Sequence, residues 1–278
     1  MTTATVSAPA GRPVRPPVPY KLSQRRVIRS EWTKLRSLRS TQFALLAAIV
    51  FVIGLGTLIS WAQASHWTRA SLADRLTFDP TNVSLSGLFL AQLAIGVLGV
   101  LMFSGEYGTG MIRATLSAVP RRLPVLWAKV LVFGTVTFIL MTISSFIAFL
   151  SGQAMLSSQH IQTSLSHPGV LRAVIGGGLY LLVVALLGVG LGALLRSTAG
   201  GIATLFGMLL VLPLIVHFLP ESWSRSISPY LPSDAGQSIL AVVHDPRLLS
   251  PWPGFLLFCG YAAVALAGAA VVLLRRDA

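Results

Sequence analysis

The sequence predicts an all-α polytopic membrane protein with six transmembrane helices, an N-terminal interfacial amphipathic helix and a short cytoplasmic helix between the second and third spans. Three observations lead there. Of 278 residues, 54% are hydrophobic and only 10% are charged, against about 25% charged in a soluble domain. So much apolar surface is stable without a polar coat only where lipid is the solvent. The apolar residues also fall into six runs of about the 20 residues that cross a bilayer as helix, and Lys and Arg gather on alternate connecting segments.

The runs are Phe43–Trp61, Leu85–Phe103, Val130–Leu150, Val174–Leu195, Gly201–Leu219 and Gly254–Leu274, and no acidic residue falls within them. Strands of a membrane barrel would instead alternate in short segments. With the N-terminus inside, sixteen of the 21 Lys and Arg residues lie on cytoplasmic segments and five outside, while five of the eight acids lie outside. That split places both termini in the cytoplasm of a multi-pass cell-membrane protein. It accounts for the net charge of +13 with the lipid bilayer as partner and without nucleic acid. The first 40 residues hold no apolar stretch of signal-peptide length. Prolines at 9, 13, 16, 17 and 19 mark residues 1–22 as a disordered cytoplasmic tail, leaving 23–278 as one membrane domain.

Three segments outside the runs carry information. In Ser23–Ser40, Ile28, Trp32, Leu35 and Leu38 recur at helical spacing among Arg25, Arg29, Lys34, Arg36 and Arg39. This is the pattern of a basic amphipathic helix on a membrane surface. In Gly105–Arg122, glycines at 105, 108 and 110 are expected to break the helix that ends near Phe103. Thr109 and Pro120 would bound a short helix whose stripe is Met111, Ile112, Leu116 and Val119, flanked by Arg113. On pattern alone that helix equally suits a membrane-resting loop and a docking site for a soluble partner. The third segment, Pro220–Pro253, is either a folded surface loop with Trp223 and Tyr230 as interfacial anchors or a stretch that dips back into the membrane.

Elimination narrows the chemistry. The phosphate-cradling pattern G-x-x-x-x-G-K-[ST] is absent, so ATP is not expected to bind here by that route. The runs hold no carboxylate pair for an intramembrane aspartyl site, and no H-E-x-x-H zinc pattern occurs. Of the five histidines only His217 lies in a run, near its end, and it reads as interfacial rather than as a base. Cys259 is single and cannot form an internal disulfide. No catalytic, cofactor or metal residue is therefore assigned. Lys129, at the edge of the third run, is expected to snorkel to the surface. Gly188 and Gly192 form a GxxxG pair suited to close helix packing, and Pro213 is expected to kink the fifth helix. The hydroxyls of Thr135, Thr137, Ser144 and Ser145 read as a lining weakly suited to an amphipathic cargo.

The order of these parts resembles the permease subunits of ABC-2 type transporters, in particular those of high-GC Gram-positive bacteria. The resemblance is carried by Ser30–Ser40 (SEWTKLRSLRS), Gly105–Arg122 and Tyr230–Leu240 (YLPSDAGQSIL) on the six-span frame. It implies a non-enzymatic permease subunit of an ATP-binding cassette exporter, with ATP bound by separate cytoplasmic ATPase subunits and a second permease copy, identical or not, completing the transporter. It implies further that Glu106 and the Met111–Val119 helix, with Ile112, Arg113 and Leu116, form the coupling contact to the ATPase. The alternatives are a membrane sensor or immunity subunit that binds an ATPase or peptide without transporting, and an intramembrane enzyme.

Overall fold

The computed structural model describes residues 23–108, 110–111, 123–243 and 249–275. The Pro-rich tail and, from the expected coupling helix, Thr109, Ile112, Arg113, Leu116, Val119 and Pro120 lie outside these residues. Among the described residues the chain is helical, with no strand. Six helices among them are long and apolar enough to cross a membrane: Arg39–Arg69, Pro80–Gly108, Leu123–Gln159, Val170–Leu195, Thr198–His217 and Pro251–Arg275. The protein is thus a polytopic membrane protein. Most of these spans run beyond the apolar runs, because backbone hydrogen bonding continues into polar turns that hydropathy does not count. The second span is the instructive case. Gly105 and Gly108 do not end it near Phe103; the helix continues to Gly108, and the chain turns at Gly110, where φ is +70°.

The fourth span is the hub, with 72% of its apolar window buried, and the second follows at 61%. The first, fifth and sixth bury 28%, 22% and 28% and form the rim. Glycines make the seam between the second and fourth spans. A Cβ on Gly188 would lie 2.6 Å from the carbonyl oxygen of Gly96, one on Gly192 2.4 Å from that of Val100, and one on Gly99 2.5 Å from that of Ala185. The two backbones touch, which is how membrane helices gain dispersion energy when lipid competes equally for apolar side chains. The third span packs on the fourth in the same way. Ser145 and Thr142 stand against Gly177 and Gly178, and Thr137, Ser144 and Ser145 are buried. Of the hydroxyls read as a lining, these three are therefore packing groups between helices, while Thr135 is exposed.

Both peripheral spans one and five contain a π-turn, at Phe51–Leu55 and Gly207–Val211. In the fifth span it directly precedes Leu212–Pro213. The ring of Pro213 cannot accept the regular turn before it, and the wider turn accommodates it. In the first span the π-turn is braced by the second. A Cβ on Gly87 would meet the carbonyl oxygens of Phe51 and Val52 at 2.2 and 2.5 Å.

The segment after the fifth span folds inward. Pro232, Ser233, Ala235, Gly236, Ser238 and Ile239 are buried, Gly236 presses on Tyr180 and Phe258, and Gly176 faces Ile239. Tyr180 lies ten residues into the fourth span, about 15 Å along a helix, so the segment re-enters the bundle between the fourth and sixth spans. Arg172 holds it by donating to the Ala241 carbonyl at 2.7 Å. Trp223 and Tyr230, by contrast, are exposed.

Replacing Gly188 by valine is expected to drive a side chain into the Gly96 carbonyl. Overpacking of this kind costs about 1–3 kcal/mol, so the thermal midpoint of the detergent-solubilised protein should fall. Gly260→Ala, whose Cβ meets nothing within 4 Å, should leave it unchanged.

Candidate functional site

The amphipathic helix Gln24–Ser37 lies against the start of the third span. Gln24 donates to the Pro124 carbonyl at 3.1 Å, and Val27 packs with Val125 and Ala128. Its inward stripe is Val27, Glu31 and Leu35, one residue per turn. Of the residues expected to form its apolar face, Leu35 is buried, Ile28 half-buried, and Trp32 and Leu38 are exposed. An acid on the inward stripe is costly unless something inside the protein neutralises it.

Two lysines do so. Glu31 Oε1 accepts from Lys34 at 2.8 Å, and Glu31 Oε2 from Lys129 at 2.7 Å. Both lysines also donate to Oε1 of Glu106, at 2.9 Å from Lys34 and 2.6 Å from Lys129. The four groups close an alternating ring of two carboxylates and two ammoniums with no net charge. Glu31 and Lys129 are each 1% exposed and Glu106 8%. The Lys129 ammonium also sits 5.9 Å from the centre of the Phe103 ring, within cation–π range. The expectation that Lys129 snorkels outward is thus overturned: two carboxylates within hydrogen-bond reach hold it inside. Glu106, expected at the docking surface, is likewise turned inward, because the second span runs past Phe103 and brings residue 106 to face Lys129.

Burial disfavours a charge on Lys34, but its hydrogen bonds to Glu31 and Glu106 and their negative charges outweigh that penalty and raise its pKa above 10.5. The folded state therefore holds this proton more tightly than the unfolded chain. The stabilisation is complete below pH 10.5 and is lost as pH rises through the raised value.

Glu106 is the last acid before the segment 109–122 and Lys129 the first lysine after it, so the two bracket that segment. The amphipathic helix is tied to both. Of the coupling residues expected from sequence, Met111 is described and 51% exposed. Neighbouring contacts join the remaining spans to this end of the bundle: Ser104 and Thr198 hydroxyls at 2.9 Å, Arg196 5.3 Å over the Tyr107 ring and Arg196 donating to the Val272 carbonyl at 3.2 Å. No group of three or more metal-ligating side chains occurs among the described residues. His217 is exposed against Phe218.

Removing one partner of a buried ion pair costs about 3–5 kcal/mol, because the opposite charge is left uncompensated. Lys129→Met is therefore expected to lower the thermal midpoint of the purified protein strongly. Arg225→Met, which breaks the exposed Glu221–Arg225 pair, should have little effect.

No curated protein matches the chain. A family model described as ABC-2 family transporter protein matches residues 27–212, which takes in the amphipathic helix, the whole charge ring, the bracketed segment and the first four spans. Two thirds of the chain fits that model, and the protein belongs to the ABC-2 transporter family as a membrane component of transport that is not itself catalytic.

Proposed function

We propose that the chain is the permease subunit of an exporter whose ATP is bound and hydrolysed by separate cytoplasmic ATPase chains, and that the segment 109–122 is where those chains dock. The single observation that carries this reading is the charge ring. A neutral, four-centred lock with three buried members and the part-exposed Lys34 grips both ends of one short segment and fastens them to the amphipathic helix. Such a mount suits a part that must move as a rigid unit with the spans. The family membership and the lack of any phosphate-cradling motif in the chain support the division of labour.

In this reading both termini and the ring face the cytoplasm of the cell membrane, as the distribution of Lys and Arg favours. Residues 1–22 form a tail and 23–278 the membrane domain. The amphipathic helix rests on the inner leaflet with Trp32 and Leu38 toward lipid. Met111, Ile112, Leu116 and Val119 present the apolar stripe to the ATPase, and Arg113 flanks it. Glu106 holds the mount from within and does not touch the partner. ATP-driven closure of the ATPase chains pushes segment 109–122. The ring passes that displacement to the second and third spans and to the amphipathic helix together, and the bundle exchanges an inward-open for an outward-open state. A second permease copy completes the pathway. Its occupancy would bury apolar faces of the sparsely packed rim.

A charge placed on the stripe tests the docking assignment. Ile112→Asp or Leu116→Asp is expected to abolish co-purification with the ATPase chain while leaving the permease monodisperse. Unchanged co-purification would contradict it. The purified permease alone should hydrolyse ATP no faster than background, and turnover above background would refute the division of labour.

A further inference from the structure

At the end of the bundle remote from the charge ring, two cavities share a wall. The larger, about 640 Å³, lies over the end of the first span and the start of the second and is lined in part by Gln63, His66, Arg69, Asp74, Asp79 and Asn82. The smaller, about 230 Å³, runs from Asn82 and Ser86 past Leu85 and Phe89 to Tyr180, Gln237 and Leu240. Asn82 and Ser86 line both, so the two form one groove. It descends along the second span from Asn82 to Phe89, about 10 Å of helix.

The groove changes character with depth. Its mouth carries both signs of charge. Asp79 is fixed by the backbone N–H groups of Thr81 and Asn82 at 2.8 and 3.2 Å, and Asp74 by the backbone N–H and hydroxyl of Ser71 at 3.2 and 2.6 Å. Arg69 lines the same mouth and makes no ion pair among the described residues. A purely anionic ligand would meet two carboxylates, and a purely cationic one a guanidinium. A head group carrying both charges satisfies the set.

Farther in, the hydroxyl of Ser86 is buried with no hydrogen-bond partner among the described residues, a cost that an incoming polar group would relieve. The inner walls are Leu85, Leu88, Phe89 and Leu240, with Phe89 53% exposed, so this part opens sideways. The floor is polar again. The Tyr180 hydroxyl donates to Gln92 and also bonds with Gln237, while the Gln92 amide nitrogen, on a wholly buried side chain, has no partner among the described residues. At about 30 Å³ per water, the mouth has room for a head group and the inner cavity for a stretch of chain.

We propose that this groove binds a zwitterionic single-chain amphiphile, with the head between Arg69 and the Asp74–Asp79 carboxylates, the linking ester or amide at Ser86 and Asn82, and the chain beside Phe89 and Leu240. Such a molecule has two sources, a lipid of the surrounding bilayer or a carried compound. The second rests on the permease reading; the site itself does not.

The test uses the full chain in maltoside micelles and a lysophosphatidylcholine with a diazirine in its acyl chain, with the crosslinked peptides mapped by mass spectrometry. Adducts should saturate and concentrate in residues 80–90 and 237–243. They should fall at least fivefold in Ser86→Leu and in the exposed variant Arg69→Ala, whose thermal midpoint reports that it folds. Unlabelled lysophosphatidylcholine should displace the probe, and dodecyl sulfate and dodecyltrimethylammonium should not. Adducts spread evenly over the first, fifth and sixth spans, labelling unchanged in Arg69→Ala, or equal displacement by either singly charged detergent would overturn the site. A further arm, in vesicles with the ATPase chain, separates the sources. ATP-dependent movement of the bound probe across the membrane identifies a carried compound, and retention through turnover identifies a resident lipid and overturns carriage.

Discussion

A closed ring of four charges, Glu31, Lys34, Glu106 and Lys129, is the constraint on which the rest of this structure depends. Each member meets two opposite charges, and three of the four, Glu31, Glu106 and Lys129, are buried. A buried ion has no cheap substitute for lost water except such partners, so removing a single member leaves its buried partner uncompensated. That property turns three sequence-distant elements, the amphipathic helix, the end of the second span and the start of the third, into one body. The segment between Glu106 and Lys129 is held at both ends as a consequence.

Away from the ring, stability has a different origin. The second, third and fourth spans are joined by glycines and small hydroxyls that bring backbone to backbone, and this seam is the rigid centre of the bundle. The first and fifth spans are held less tightly, and each carries a π-turn. The re-entrant segment fills the space between the fourth and sixth spans at the far end, where it supplies Gln237 and Leu240 to the groove. A firm core, two looser spans and a charge-locked lever at one end fit a membrane component that changes shape under an external push.

The six spans were legible in the sequence because hydropathy over about 20 residues is a strong signal and lipid leaves few alternatives. The GxxxG pair was legible for a similar reason, as small residues at that spacing have one common use. The ring was not. Glu31 and Lys129 are 98 residues apart, and each stood beside an apolar run, where a charge reads as a flank. Glycines at 105, 108 and 110 also suggested that the helix stopped before Glu106. The available signal was scarcity: Glu31 and Glu106 are nearly the only acids on segments crowded with Arg and Lys, and an acid kept there needs a reason. The groove was illegible because it joins residues 63 to 86 with 180, 237 and 240, and the inward fold of Pro232–Leu240 has no periodic pattern to announce it.

The central claim is that the ring acts as one unit, and a double-mutant cycle measures that directly. Stability would be determined for the parent protein, Glu106→Gln, Lys129→Met and the double variant, by reversible unfolding in one detergent. The account predicts strong non-additivity, with the double variant more stable than the sum of the single losses by about 2–3 kcal/mol, because removing both charges leaves no orphan. Losses that simply add would show the two residues acting independently and would contradict the account.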